Sequence, residues 1–73
     1  MTTIDLHGVK HENVRALLDR FLWKNMMACS PSVEVITGKS SEMKRIVSEI
    51  VAEYGYLAED SFTNSGVMII SLI

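Results

Sequence analysis

The chain has 73 residues, 48% of them hydrophobic, and a formal net charge of −2 at neutral pH. That length makes one domain with a small core and leaves no room for a second, and no apolar run approaches the roughly 20 residues that a membrane-spanning helix needs. The charge excludes a large uniformly cationic surface, the usual source of nonspecific nucleic-acid affinity, but not a local basic patch.

The chain opens on "TTIDLHG" at residues 2–8, where the alternation predicts a strand with Ile4 and Leu6 on one face and Asp5 and His7 side by side on the other. Val14, Leu17, Leu18, Phe21 and Leu22 then recur at helical spacing. This helix starts near Lys10, a weak N-cap, with Glu12 suited to the helix dipole, and Ser30 and Pro31 end it. A β-branched, alternating run from about Val33 to Thr37 predicts a second strand, closed by Gly38. The second helix carries Met43, Ile46, Val47, Ile50, Val51 and Tyr54 on its buried stripe, with Ser40 or Ser41 as cap and Gly55 as stop. "YLAEDSF" and "VMIISLI" predict two more strands joined through "TNSG", where Asn64 and Gly66 tolerate the positive backbone angles of a tight hairpin. The last strand is apolar on both parities, the pattern of a central strand covered on both faces.

The order strand, helix, strand, helix, strand, strand predicts an α/β two-layer sandwich with a four-stranded mixed sheet. Its helix-linked strands are parallel and its last two antiparallel. Residues 1–73 form this single domain. Cys29, the only cysteine, has no partner for an internal disulfide and is expected in the core or at a helix end. The start of the chain has neither the basic residues nor the apolar stretch of a secretory signal, so a cytoplasmic location is expected. Trp23, Met26 and Met27 are expected to complete the core or a self-association surface, His11 to be solvated with a substrate contact open to it near Gly8, and Glu59 and Asp60 to lie in a strand near the hairpin with no chemistry assigned.

Chemistry concentrates in three segments: Asp5-Leu6-His7-Gly8, Thr37-Gly38-Lys39-Ser40, and the basic pair Lys44-Arg45. With the first two strands parallel, both glycine turns fall at strand carboxyl ends, where open α/β sheets bind ligands. A histidine beside a carboxylate suits proton transfer or metal binding. The strand-to-helix turn "TGKSSEMKR" leaves helix-terminal amides facing outward, a ready phosphate site to which Lys39, Lys44 and Arg45 add charge. It is not a P-loop, since the residue five before Gly38 is Val33 rather than glycine.

These features resemble the small MutS-related, or Smr, domain family over essentially the whole chain. The most specific part is the D-L-H-G tetrapeptide of Asp5, Leu6, His7 and Gly8 at the end of the first strand. The family's second signature, usually H-G-x-G, falls on Thr37, Gly38, Lys39 and Ser40, so threonine stands for histidine and Ser40 for the second glycine. The resemblance implies a fold similar to the C-terminal domain of a bacterial translation initiation factor, and association with RNA or DNA, often as an RNA-cleaving or DNA-nicking endonuclease. By matching position it puts Asp5 and His7 in the cleavage site and lets the backbone at Gly38 approach the phosphate. With the strand-to-helix turn included, the expected phosphate-binding set is Gly8, Thr37, Gly38, Lys39, Ser40, Lys44 and Arg45. Two schemes stay open: His7 as general base, or a divalent ion, magnesium or manganese, held by the carboxylate or imidazole. The competing expectation is a module without catalysis that binds nucleic acid or a protein partner through the same edge. A weaker one is a nucleotide-phosphate binder using the Gly38 turn alone.

Overall fold

A computed structural model describes residues 2–73. They form β1 (Thr3–Asp5), α1 (His11–Met27), β2 (Ser32–Ile36), α2 (Ser41–Glu53), β3 (Ala58–Asp60) and β4 (Val67–Ser71). This is the expected order, and it builds one mixed four-stranded sheet with strands arranged β1-β2-β4-β3. β1 and β2 are parallel, with Thr3, Ile4 and Asp5 opposite Glu34, Val35 and Ile36, and β4 runs antiparallel to both β2 and β3.

The crossovers from β1 to β2 and from β2 to β3 step the same way across the sheet, so right-handed connections put both helices on one face. A single core results: Val14, Leu18, Phe21 and Leu22 of α1 and Met43, Val47, Ile50 and Val51 of α2 cover Val33, Val35, Met68 and Ile70 of the sheet. The register sends Thr3, Asp5, Glu34, Ile36, Val67, Ile69 and Glu59 to the opposite face. β4 is therefore central, as its composition predicts, but covered on one face only: Met68 and Ile70 are buried, whereas Val67 and Ile69 are half-buried. Its second apolar parity reflects lateral packing on the open face among Ile36, Val67 and Ile69, not a second helical layer.

Both helices end in the same hydrogen-bonded device. In α2 the Gly55 amide bonds the carbonyl of Ala52 and the Tyr56 amide that of Val51, with Gly55 at φ +83°. In α1 the Cys29 amide bonds Met26 and the Ser30 amide bonds Asn25, but here the left-handed position, φ +58°, is held by Cys29. The helix stops at Met27, ahead of Ser30 and Pro31. The Asn25 side chain reinforces this end, donating to the Phe21 carbonyl and accepting from the Ser30 hydroxyl. Cys29 is exposed, and Trp23 and Met27 are exposed rather than in the core, because their positions on α1 face away from the sheet. No described helix is long and apolar enough to cross a membrane.

α1 and α2 are also joined by polar groups. Arg15 donates twice to Glu53, at 3.0 and 2.8 Å, and the Tyr54 hydroxyl donates to Asp19 at 2.7 Å. That hydrogen bond, then burial and the charge of Asp19, raise the Tyr54 phenol above its ordinary value of 10.0. The neutral phenol is thus favoured in the folded state, and its contribution is complete below pH 10 and lost as pH rises through the higher folded value.

Two outcomes are expected. Tyr54→Phe lowers stability by about 1 kcal/mol near neutral pH and flattens the alkaline decline of the urea midpoint above pH 10 relative to the parent. Cys29→Gly relieves the left-handed strain and raises stability by about 1 kcal/mol, read as a higher urea midpoint at unchanged slope.

Candidate functional site

β1 ends at Asp5, whose side chain lies on the open face beside Ile36. One more ladder bond, from the Leu6 amide to the Ile36 carbonyl at 2.8 Å, carries Leu6 into the core, where it is fully buried. The chain then reverses. The Val9 amide reaches the Leu6 carbonyl at 3.0 Å, with His7 and Gly8 as the central pair and Gly8 at φ +80°, the glycine position of a type II turn. The Asp5 carboxylate accepts the backbone amide of His7 at 2.9 Å. The strand therefore does not continue to His7, and Asp5 and His7 do not stand side by side on a pleat. Asp5 holds the turn that presents the exposed imidazole, rather than bonding the ring itself.

The second turn meets the first directly. A Cβ added to Gly38, at φ +67°, falls 2.9 Å from Cδ2 of His7, so the ring lies on the bare backbone of this glycine. Beneath them comes the β3–β4 hairpin: the Gly66 carbonyl accepts both the Thr37 amide at 2.9 Å and the Gly38 amide at 3.0 Å. β2 consequently ends at Ile36, a residue short of the expected Thr37. A Cβ on Gly66 comes within 3.4 Å of the Gly38 Cα, so both glycines serve close approach. Gly66 does not adopt a positive φ, nor does Asn64. The Asn64 side chain closes the hairpin instead, accepting the Gly66 amide at 2.9 Å.

Three turns thus gather at one sheet edge, and the third was legible in sequence only as a hairpin. Phe62, on this hairpin, leaves its whole side chain to water, an arrangement that nothing in the packing explains.

The expected phosphate-facing residues divide into two sets. Thr37 is 2% exposed, and its hydroxyl donates to the Gly38 carbonyl at 2.7 Å, so it braces the turn from inside. Ser40 is the N-cap of α2, accepting the Met43 amide at 3.1 Å. Behind it, the amides of Lys39, Ser40, Ser41 and Glu42 have no acceptor among the described residues. Lys39 is exposed and forms no ion pair with a described residue.

The basic pair is engaged elsewhere. Lys44 pairs with Asp60 at 3.2 Å, and Arg45 bonds both Glu42 and Glu49. Glu42 and then Glu49 push the Arg45 guanidinium further above its ordinary value, while Arg45 holds Glu42 below the usual carboxylate range. Because β1 and β2 are parallel and each leads into a helix, the starts of the two helices lie at the same edge. One cation among two carboxylates adds no positive potential, so the anion-attracting groups here are Lys39, the α2 amides and Lys10 at the start of α1, which is exposed and forms no ion pair with a described residue.

A family model described as Smr domain matches residues 4–72, nearly the whole chain. A comparison with curated proteins finds no match.

The two motif glycines are expected to respond differently to a methyl group. Gly38→Ala and Gly8→Ala both strain a positive φ and lower stability by about 1–2 kcal/mol each. Gly38→Ala also meets the His7 ring, at 2.9 Å from Cδ2, whereas apart from its chain neighbours nothing lies within 4 Å of a Cβ on Gly8. Displacement of the His7 imidazole resonances in Gly38→Ala checks this contact.

Proposed function

The chain belongs to the Smr domain family, whose members generally bind nucleic acid and include endonucleases, and on that premise we propose that this edge binds and cleaves a phosphodiester of RNA or DNA. The observation that carries the reading is the His7 ring resting on Gly38, which joins the two motif turns beside the unpaired α2 amides and Lys39. His7 takes a proton from water or a ribose 2′-hydroxyl. The oxygen so freed attacks phosphorus, the bond to the leaving oxygen breaks, and that oxygen takes up a proton from solvent while the His7 imidazolium returns its proton to solvent. Lys39 and the amides after Gly38 stabilise the charge that gathers on the phosphoryl oxygens. Asp5 serves as a positioning residue, fixing the backbone from which His7 projects. Phe62 offers an exposed aromatic face to an unpaired base on the same edge.

A divalent ion fits these residues poorly. Among the described residues no group of three or more histidine, cysteine or acidic side chains is gathered, and one of the two Asp5 carboxylate oxygens accepts the His7 amide. No step is therefore routed through a metal.

A second reading, binding without catalysis, is favoured by two specific observations: the Asp5 carboxylate bonds backbone rather than imidazole, and the Thr37 hydroxyl is turned inward. Cleavage of labelled single-stranded RNA and supercoiled plasmid, with and without magnesium or manganese, separates the two. With catalysis, His7→Ala lowers the cleavage rate about 100-fold or more while affinity stays within about threefold. Lys39→Ala weakens binding and reduces the magnitude of the salt slope by about 1. Intact substrates under every condition, with binding retained, establish the second reading.

A further inference from the structure

At the opposite end of the molecule, α1 and the start of β1 enclose a recess of about 310 Å³, roughly ten times the volume a water molecule occupies in the liquid. α1 begins at the His7 edge and runs antiparallel to β1, so Arg20 and Lys24 lie about 14–20 Å along the helix from His11. The recess is distinct from the proposed phosphodiester site.

Its floor is apolar, made by Ile4, Leu17 and Phe21, with Leu17 40% exposed. The polar wall is already satisfied, because the Asn25 amide and carbonyl bond Phe21 and Ser30. On its rim stand Arg20 and Lys24, one helical turn apart and without an ion pair among the described residues. Trp23 and Met27, 60% and 70% exposed, continue the apolar surface one turn around the helix. This face of α1 reads Asn13, Ala16, Leu17, Arg20, Trp23, Lys24 and Met27, with no carboxylate. That is notable in a chain of net negative charge whose Arg15, Lys44 and Arg45 are each matched by an acid.

We propose that this recess docks an acidic amphipathic peptide segment of a partner protein. A leucine- or phenylalanine-sized side chain enters between Ile4, Leu17 and Phe21 while flanking carboxylates pair with Arg20 and Lys24. Charge and shape select this occupant over two others. A phosphodiester strand satisfies the cations but leaves the apolar floor open to water. A second copy docked through the same face brings no carboxylate to Arg20 and Lys24, since that face has none on either side.

The test is a titration of the isotope-labelled full chain, followed by magnetic resonance. The probes are a short synthetic peptide with a Leu-Phe anchor flanked by glutamates, the same peptide flanked by lysines, and oligouridine. Saturable shifts at Leu17, Arg20, Phe21, Lys24 and the Trp23 indole are expected with the glutamate peptide, with affinity about tenfold or more weaker for the lysine peptide. The double variant Arg20→Glu/Lys24→Glu inverts that preference, a result that a misfolded protein does not give. Absence of saturable shifts with the glutamate peptide overturns the proposal, as does equal response to both peptides or preference for oligouridine. Concentration-dependent shifts of the same residues without peptide assign the face to a second copy instead and also overturn it.

Discussion

One carbonyl group holds the proposed site together. The oxygen of Gly66 accepts the amides of both Thr37 and Gly38, tying the β3–β4 hairpin to the end of β2. Gly38 is then presented bare-backed to the ring of His7. A carbonyl has two acceptor sites, and using both on successive amides forces the chain out of the ladder at Thr37. That departure ends β2, turns the Thr37 hydroxyl inward and aims the next four amides at solvent. Segments distant in sequence, residues 5–8, 37–40 and 62–66, become neighbours through this bond pair.

The electrostatics follow from the same geometry. α2 begins at the edge so formed, and its cations within the first turns are drawn to nearby acids, Lys44 to Asp60 and Arg45 to Glu42 and Glu49. Asp60 occupies a core-facing register on an edge strand, where Lys44 from the helix above offsets its charge. Exposed pairs of this kind contribute little to stability, but they remove the charge from circulation. The local field at the edge is therefore set by Lys39, Lys10 and the helix ends, and a net charge of −2 is compatible with an anion site confined to a few groups. At the far end of α1, Arg20 and Lys24 stand beside apolar surface with no acid paired to them among the described residues.

Stability in so small a domain rests on one shared core and on well-made helix ends. The two helices show the same termination with different residues. Gly55 adopts the left-handed conformation without strain, whereas Cys29 adopts it against its own Cβ, with the buried Asn25 bonding on both sides of the bend. The wall of the recess at that end of α1 is built from this network, so the helix terminus and the proposed docking surface share a scaffold.

Local pattern determined much by itself. Helical periodicity located both helices, β-branched alternation located β2, and the order of elements with the right-handed crossover rule led to a mixed four-stranded sheet. The D-L-H-G and T-G-K-S segments were legible as turns at one edge because parallel strands carry their carboxyl ends to the same side. What only tertiary structure decided were the long-range partners. Strand parity placed Asp5 and His7 together, but the turn closed by Leu6 and Val9 won over one more strand residue, and the carboxylate went to the nearest backbone amide. Composition made Lys44 and Arg45 a basic pair; the acids of Arg45 lie three and four residues away on its own helix, whereas tertiary packing set Lys44 beside Asp60. Apolar residues on both parities of β4 announced a central strand, but not that both crossovers step the same way and leave one face open. Periodicity is a property of neighbours along the chain. Which carbonyl, ring or carboxylate lies opposite is set by the sheet's register and the helices' placement, and neither is encoded within a single segment.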